Sequence, residues 1–85
     1  MMPLFRIFSG PSAEKLEQKG DALFEAKAWG QAKQTYERAL DKLEKRPEPD
    51  SADLSRIRDK IHQTREALAR EHRQNAEDFA ENGYP

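Results

Sequence analysis

The sequence predicts an all-α fold: an antiparallel helix hairpin followed by one long third helix. Three observations carry this expectation. Valine is absent and threonine occurs only twice, while Ala, Leu, Glu, Lys, Gln and Arg fill most of the chain; sheets draw on β-branched residues and helices on the others. Apolar residues return at a period near 3.6 in three successive stretches. Two breaks, Ala28-Trp29-Gly30 and Pro47-Glu48-Pro49, separate those stretches, and connections this short make neighbouring helices antiparallel.

Residues 1–11 have the highest apolar density and finish in Ser-Gly-Pro, which interrupts a continuous helix. They read as an arm, with Leu4, Phe5, Ile7 and Phe8 expected to tuck against the first helices; the alternative is a docking arm for a membrane or partner. Helix 1 is expected over about 12–27, on the stripe Leu16, Leu23, Phe24 and Ala26. Gly10 or Ser12 can cap it, Pro11 suits a first-turn position, and Glu14 places negative charge near the positive end of the helix dipole. Helix 2 is expected over about 30–45, where Ala32, Tyr36, Ala39, Leu40 and Leu43 share one face. Trp29, at the turn, reads as closing the end of the core. Proline at 47 and 49 stops helix 2, because proline has no amide to donate and disfavours the α-region in the residue before it.

For helix 3, Asp50 is the N-cap with Asp53 in the reciprocal position, and Leu54, Ile57, Ile61, Leu68, Ala76 and Phe79 follow at near-heptad spacing. Nothing from Ser51 to Asn82 breaks a helix, so the expectation is one helix of about 30 residues, or two bent near Ala69 to His72, with Gly83 as a left-handed terminator. Its second half is thinly apolar and needs covering. That makes Ile61, Leu68, His72, Ala76 and Phe79 candidates for self-association. His72, on or near the stripe, reads as a half-buried packing residue.

Eighty-five residues with 35% apolar and 36% charged side chains make one small domain and exclude a multidomain enzyme. Without cysteine there is no disulfide framework, thiolate zinc site or thiol nucleophile. Fifteen Lys and Arg against sixteen Asp and Glu give no net field toward nucleic acid or an anionic membrane. The longest apolar run, Met1 to Phe5, is far below the roughly 20 residues of a bilayer span, and the features of a secretory signal are missing. With Met2 where a glycine is needed, no myristoyl anchor is expected. Nothing asks for export, so a cytoplasmic location is expected.

Catalytic chemistry finds no footing, and no cofactor or metal is expected. There is no Gly-rich phosphate loop, no nucleophile elbow and no histidine pair at metal spacing. His62 and Glu66 read as a solvated i, i+4 pair rather than metal ligands. The acidic pairs Glu14/Glu17 and Glu77/Asp78 lack a cleft or an orienting partner. Arg56, Arg58, Lys60, Arg65, Arg70 and Arg73 make the middle of helix 3 basic. They are interleaved with Asp53, Asp59, Glu66 and Glu71 and lack stacking aromatics, so the expectation is solvated i, i+4 pairing rather than nucleic-acid binding.

A hairpin period invites a test for repeats. The pattern Leu16-x-x-Lys19-Gly20-x-x-Leu23, then Ala32-x-x-x-Tyr36-x-x-Ala39, resembles a tetratricopeptide repeat, a 34-residue helix-turn-helix. Leu16 stands for a preferred Trp, Lys19 for a Leu, and the closing proline comes three residues late, at Pro47. The resemblance implies close helix crossing at Gly20, Ala32 and Ala39, with Tyr36 between. Ala76 to Pro85 aligns with Gly20 to Trp29 without gaps and looks like part of another repeat's first helix, so the chain is expected to be an N-terminal piece of a longer repeat protein, an α-solenoid fragment, the alternative being a short protein that ends in a capping helix. The resemblance also implies a concave wall lined by Glu14, Glu17, Gln18, Asp21, Phe24 and Glu25. This acidic wall would repel the terminal carboxylate that chaperone-binding members of the family hold. It suits a basic or amphipathic helical segment instead. The expected function is thus non-enzymatic protein-protein interaction or scaffolding, with homo-oligomerisation through helix 3 as the alternative.

Overall fold

Helix formation at the start of the chain depends on one side chain. In the computed structural model, which describes residues 10–81 and the side chains of residues 10–76, the Ser12 hydroxyl accepts a hydrogen bond from the Lys15 amide at 3.2 Å and caps α1, Ala13–Glu25. Gly10 has φ +100, a left-handed conformation that glycine adopts without penalty, so Gly10 and Pro11 lead into the helix and lie outside its first turn. The arm of Met1 to Phe8 and the terminator Gly83 lie outside the described residues.

α1 ends earlier than the spacing predicts, and the reason is a residue with no turn signature. Lys27 takes φ +62; its amide donates to the Phe24 carbonyl, and the Ala28 amide donates to the Leu23 carbonyl, both at 2.9 Å. This paired closure is a Schellman motif with lysine in the position glycine usually holds. Gly30, the apparent breaker, lies inside the first turn of α2, Trp29–Glu44, where an added Cβ would meet nothing within 4 Å.

α3 is a single helix, Ser51–Glu81, unbroken through Ala69 to His72. Asp50 caps it, its carboxylate accepting from the Ala52 amide at 2.8 Å and more weakly from Asp53 at 3.4 Å. Asp53 does not return a capping-box bond; its carboxylate takes Arg56 at 2.8 Å instead.

The helices pack in chain order, α1 on α2 and α2 on α3. The core joins Ala13 and Leu16 of α1, Ala32, Tyr36, Ala39 and Leu43 of α2, and Ile57 and Ile61 of α3, with Leu23, Phe24, Leu40 and Leu54 at its margin. Small residues set the spacing between α1 and α2. A Cβ on Gly20 would stand 2.6 Å from Tyr36 Cε1, so the tyrosine ring rests on bare backbone. The two buried threonines, Thr35 and Thr64, donate to the carbonyls of Gln31 and Lys60 at 2.8 and 2.7 Å, which removes the penalty of burying a hydroxyl.

α3 has 31 residues against 13 and 16 for its neighbours, so its roughly 46 Å length outruns them. Burial along it stops accordingly: Ala67 is buried, Leu68 and Ala69 are half-buried, and every residue from Arg70 to Ala76 is exposed. His72 is therefore a surface residue rather than a packing one, because the apolar period continues past the point where the hairpin ends. Two substitutions test this packing by thermal or urea unfolding. Lys27→Gly removes the left-handed strain of an L-residue and should stabilise by about 1 kcal/mol. Gly20→Ala drives a methyl into the Tyr36 ring and should destabilise by about 1–3 kcal/mol; an unchanged midpoint in either case contradicts the geometry described.

Candidate functional site

The acidic residues of α1 lie at i, i+3, i+4 spacing, which puts Glu14, Glu17, Gln18 and Asp21 on neighbouring turns of one face. The structure brings cations of α3 onto that face. Arg56 grips Glu17 with two parallel bonds, Nε to Oε2 at 2.8 Å and Nη2 to Oε1 at 2.9 Å, while its other nitrogen reaches Asp53. Lys60 donates to Glu17 Oε2 at 2.6 Å and to both Asp21 oxygens at 3.0 and 3.2 Å. Tyr36 completes the cluster: its hydroxyl donates to Asp21 Oδ1 at 2.5 Å, and Lys60 Nζ stands 5.8 Å from the centre of its ring.

The electrostatics follow from this geometry. The Arg56 hydrogen bonds, reinforced by Lys60 and opposed by burial, bring the Glu17 carboxyl down from 4.5 to about 2. Burial pulls the Lys60 ammonium down, but its bonds to Glu17 and Asp21 outweigh that and leave it raised. Burial and the Asp21 bond push the Tyr36 phenol well above its ordinary value. Pairing keeps Glu17 charged to lower pH than an unpaired glutamate, and at 14% exposure the pair is sheltered from solvent.

The predicted wall is thus divided. Glu17 and Asp21 already hold a basic helical segment, and that segment is the chain's own α3. Glu14 pairs with Arg46 at 2.9 Å on the surface, which holds its carboxyl below the usual value. Gln18 and Glu25 are exposed. Phe24 is half-buried and meets Trp29 edge-on, ring centres 5.0 Å apart, so the tryptophan closes the hairpin end as a partly covered aromatic pair. Phe24, Asp21, Tyr36, Lys60 and Gln63 line a notch of about 120 Å³.

The basic run of α3 pairs across helices more than along its own. Besides Arg56 and Lys60, Arg58 reaches Glu44 at 3.1 Å and Arg65 reaches Glu37 at 4.0 Å. Sequence spacing shows i, i+4 opportunities on one helix and cannot show which residues of another helix lie opposite. His62 and Glu66 stand 3.9 Å apart and open to solvent. Among the described residues, no group of three His, Asp or Glu side chains gathers as a metal site, and no helix is long and apolar enough to cross a membrane.

Of the self-association candidates, Ile61 belongs to the core, Leu68 is half-buried, and His72 and Ala76 are exposed; the Phe79 side chain lies outside the described set. A second groove, missed in the sequence, runs between α2 and α3. It has a volume of about 200 Å³ and is lined by Glu37, Leu40, Arg58, Ile61, His62 and Arg65. Comparison of the chain with family models, curated proteins and solved structures gave no match.

Because the Glu17 carboxyl is lowered in the folded state, its contribution is present above about pH 4.5 and is lost as pH falls toward about 2. Glu17→Gln should remove part of the acid-side fall in melting temperature over that window while lowering the value at pH 7. Parallel curves for the two proteins would contradict the pairing. For the same reason Glu17→Lys with Asp21→Lys should cost on the order of 1–3 kcal/mol, between the exposed and buried ranges, rather than leave the fold untouched.

Proposed function

We propose that this chain is a non-enzymatic protein-protein interaction module, in which the α1–α2 hairpin is a mount and the distal part of α3 is the presenting element. The observation that carries this reading is the mismatch of helix lengths: every residue from Arg70 to Ala76 is exposed although the helix continues to Glu81. A helix that outruns its own fold exposes backbone-satisfied but laterally bare turns, a form suited to lying against another helix.

The tetratricopeptide resemblance supports the same class of task, since hairpins of that kind leave faces for neighbouring units to cover. A partner on the α1 wall stands second, because it would have to displace Arg56 and Lys60 from Glu17 and Asp21. No small-molecule chemistry is assigned. Glu17 and Asp21 are held by Arg56 and Lys60, and the notch beside Tyr36 has about 120 Å³ against the roughly 300 Å³ and upward of typical ligand pockets. The larger hollow of about 490 Å³ along α2, lined by Gln34, Glu37, Arg38, Asp41 and Lys42, is open to solvent.

The reading is tested by presenting the full chain on a resin to a lysate, beside His72→Glu with Ala76→Glu and beside Gln18→Lys with Glu25→Lys. All four positions are exposed, so each variant should keep wild-type helicity by circular dichroism. The expected outcome is that bound proteins, the chain itself included, are lost with the α3 variant and retained with the α1 variant. Loss with the α1 variant alone would move the contact to α1, and capture indifferent to both would sink the module reading.

A further inference from the structure

The α2–α3 groove is lined by the apolar Leu40 and Ile61, by Arg58, His62 and Arg65, and by one carboxylate, Glu37; Arg58 and Arg65 reach Glu44 and Glu37 yet keep 59% and 63% of their side chains exposed. Residues 74–81, farther along the same helix, carry Glu77, Asp78 and Glu81 around Phe79 and contain no Lys or Arg. The chain thus holds both a mainly basic groove with apolar lining and an acidic segment with one large apolar residue. It cannot join them itself. α3 is continuous from Ser51 to Glu81, so positions 61 and 79 are held roughly 27 Å apart along its axis.

We propose that the occupant of this groove is the acidic distal segment of a second copy, the two α3 helices running antiparallel about a two-fold axis near residue 70. This rests on the interaction-module reading above and supplies its partner. An antiparallel pair brings the acidic end of each helix beside the basic groove of the other, so one contact is made twice and the assembly closes at two. The sequence register agrees: Arg58, Arg65, His72 and Phe79 recur at intervals of seven, as do His62, Ala69 and Ala76. A strict seven-residue stripe is what lets two helices stay in contact along their length, and alanine on it permits close approach. Centring the pair near residue 70 sets helix position 79 of one copy level with positions 61 and 62 of the other, and position 76 level with 64 and 65.

The test uses charge reversal in the full chain, with mass measured by sedimentation equilibrium over a wide concentration series. Wild type should rise from 9.8 kDa toward twice that value, with association weakened by salt. A groove variant, Arg58→Glu with Arg65→Glu, and a tail variant, Glu77→Lys with Asp78→Lys and Glu81→Lys, should each lose at least about tenfold in self-association, because groove and tail then carry one sign. Mixed together they should pair, since each tail is then opposite in sign to the other's groove. A variant carrying all five reversals should associate with itself again.

Circular dichroism checks that each variant folds, and the salt dependence of the wild type gives a reading independent of any variant. A wild type that stays monomeric, or variants that associate undiminished, or a mixture that fails to pair, would each overturn the proposal. A monomer whose lysate partners still vanish with His72→Glu and Ala76→Glu overturns the second copy alone, whereas a monomer that captures nothing overturns the module reading as well.

Discussion

Tyr36 lies with its ring on the bare backbone of Gly20, its hydroxyl on Asp21 and the Lys60 ammonium near its face. Those contacts fix the arrangement of all three helices. The ring's fit against Gly20 sets how closely α1 and α2 approach, and its depth determines how far the Asp21 carboxylate is drawn in. Once Asp21 and Glu17 are held together on one face, two adjacent negative charges require compensation, and Arg56 and Lys60 of α3 supply it. A chain of this size has few large apolar side chains to spend on a third interface. The attachment of α3 therefore combines Ile57 and Ile61 in the core with charge at its edge.

This division of labour changes what the acidic face of α1 means. Read alone, Glu14, Glu17, Gln18 and Asp21 look like a surface awaiting a basic helix. In the fold Glu17 and Asp21 have one: their complementarity is satisfied by α3, and Glu17 is so well paired that its carboxyl is lowered to about 2. The free surface moves elsewhere, to the groove beside Leu40 and to the distal turns of α3.

The helical class, the hairpin and an uninterrupted third helical stretch were legible from period and breaks, because a 3.6-residue apolar stripe is a property of the local sequence; whether that stretch made one helix or two was not. The Asp50 cap was legible from its residue type ahead of an unbroken stretch, whereas the close approach at Gly20, Ala32 and Ala39 was expected only from the tetratricopeptide resemblance. Lys27 was not. Its left-handed conformation is imposed by the closure at the end of α1, and lysine carries no sign of it, while Gly30 nearby offers a false one. The partners of Arg56, Arg58, Lys60 and Arg65 were hidden too, since the sequence shows neighbours along a helix but not across one. His72 was misplaced because the apolar stripe, thinned but still in register, runs on where the supporting hairpin has already ended.

The unequal helix lengths also have a thermodynamic meaning. An isolated helix shorter than about 12–15 residues is marginal in water, because its first turn costs more than one hydrogen bond returns. Residues 70–81 escape that cost only as an extension of turns already nucleated against α2. Their helicity is borrowed, propagating outward from the docked half with a stability that declines toward the end. Any body that lies along those turns therefore does more than add contacts: it lengthens the cooperative unit of the fold, so that recognition and helix propagation become a single equilibrium.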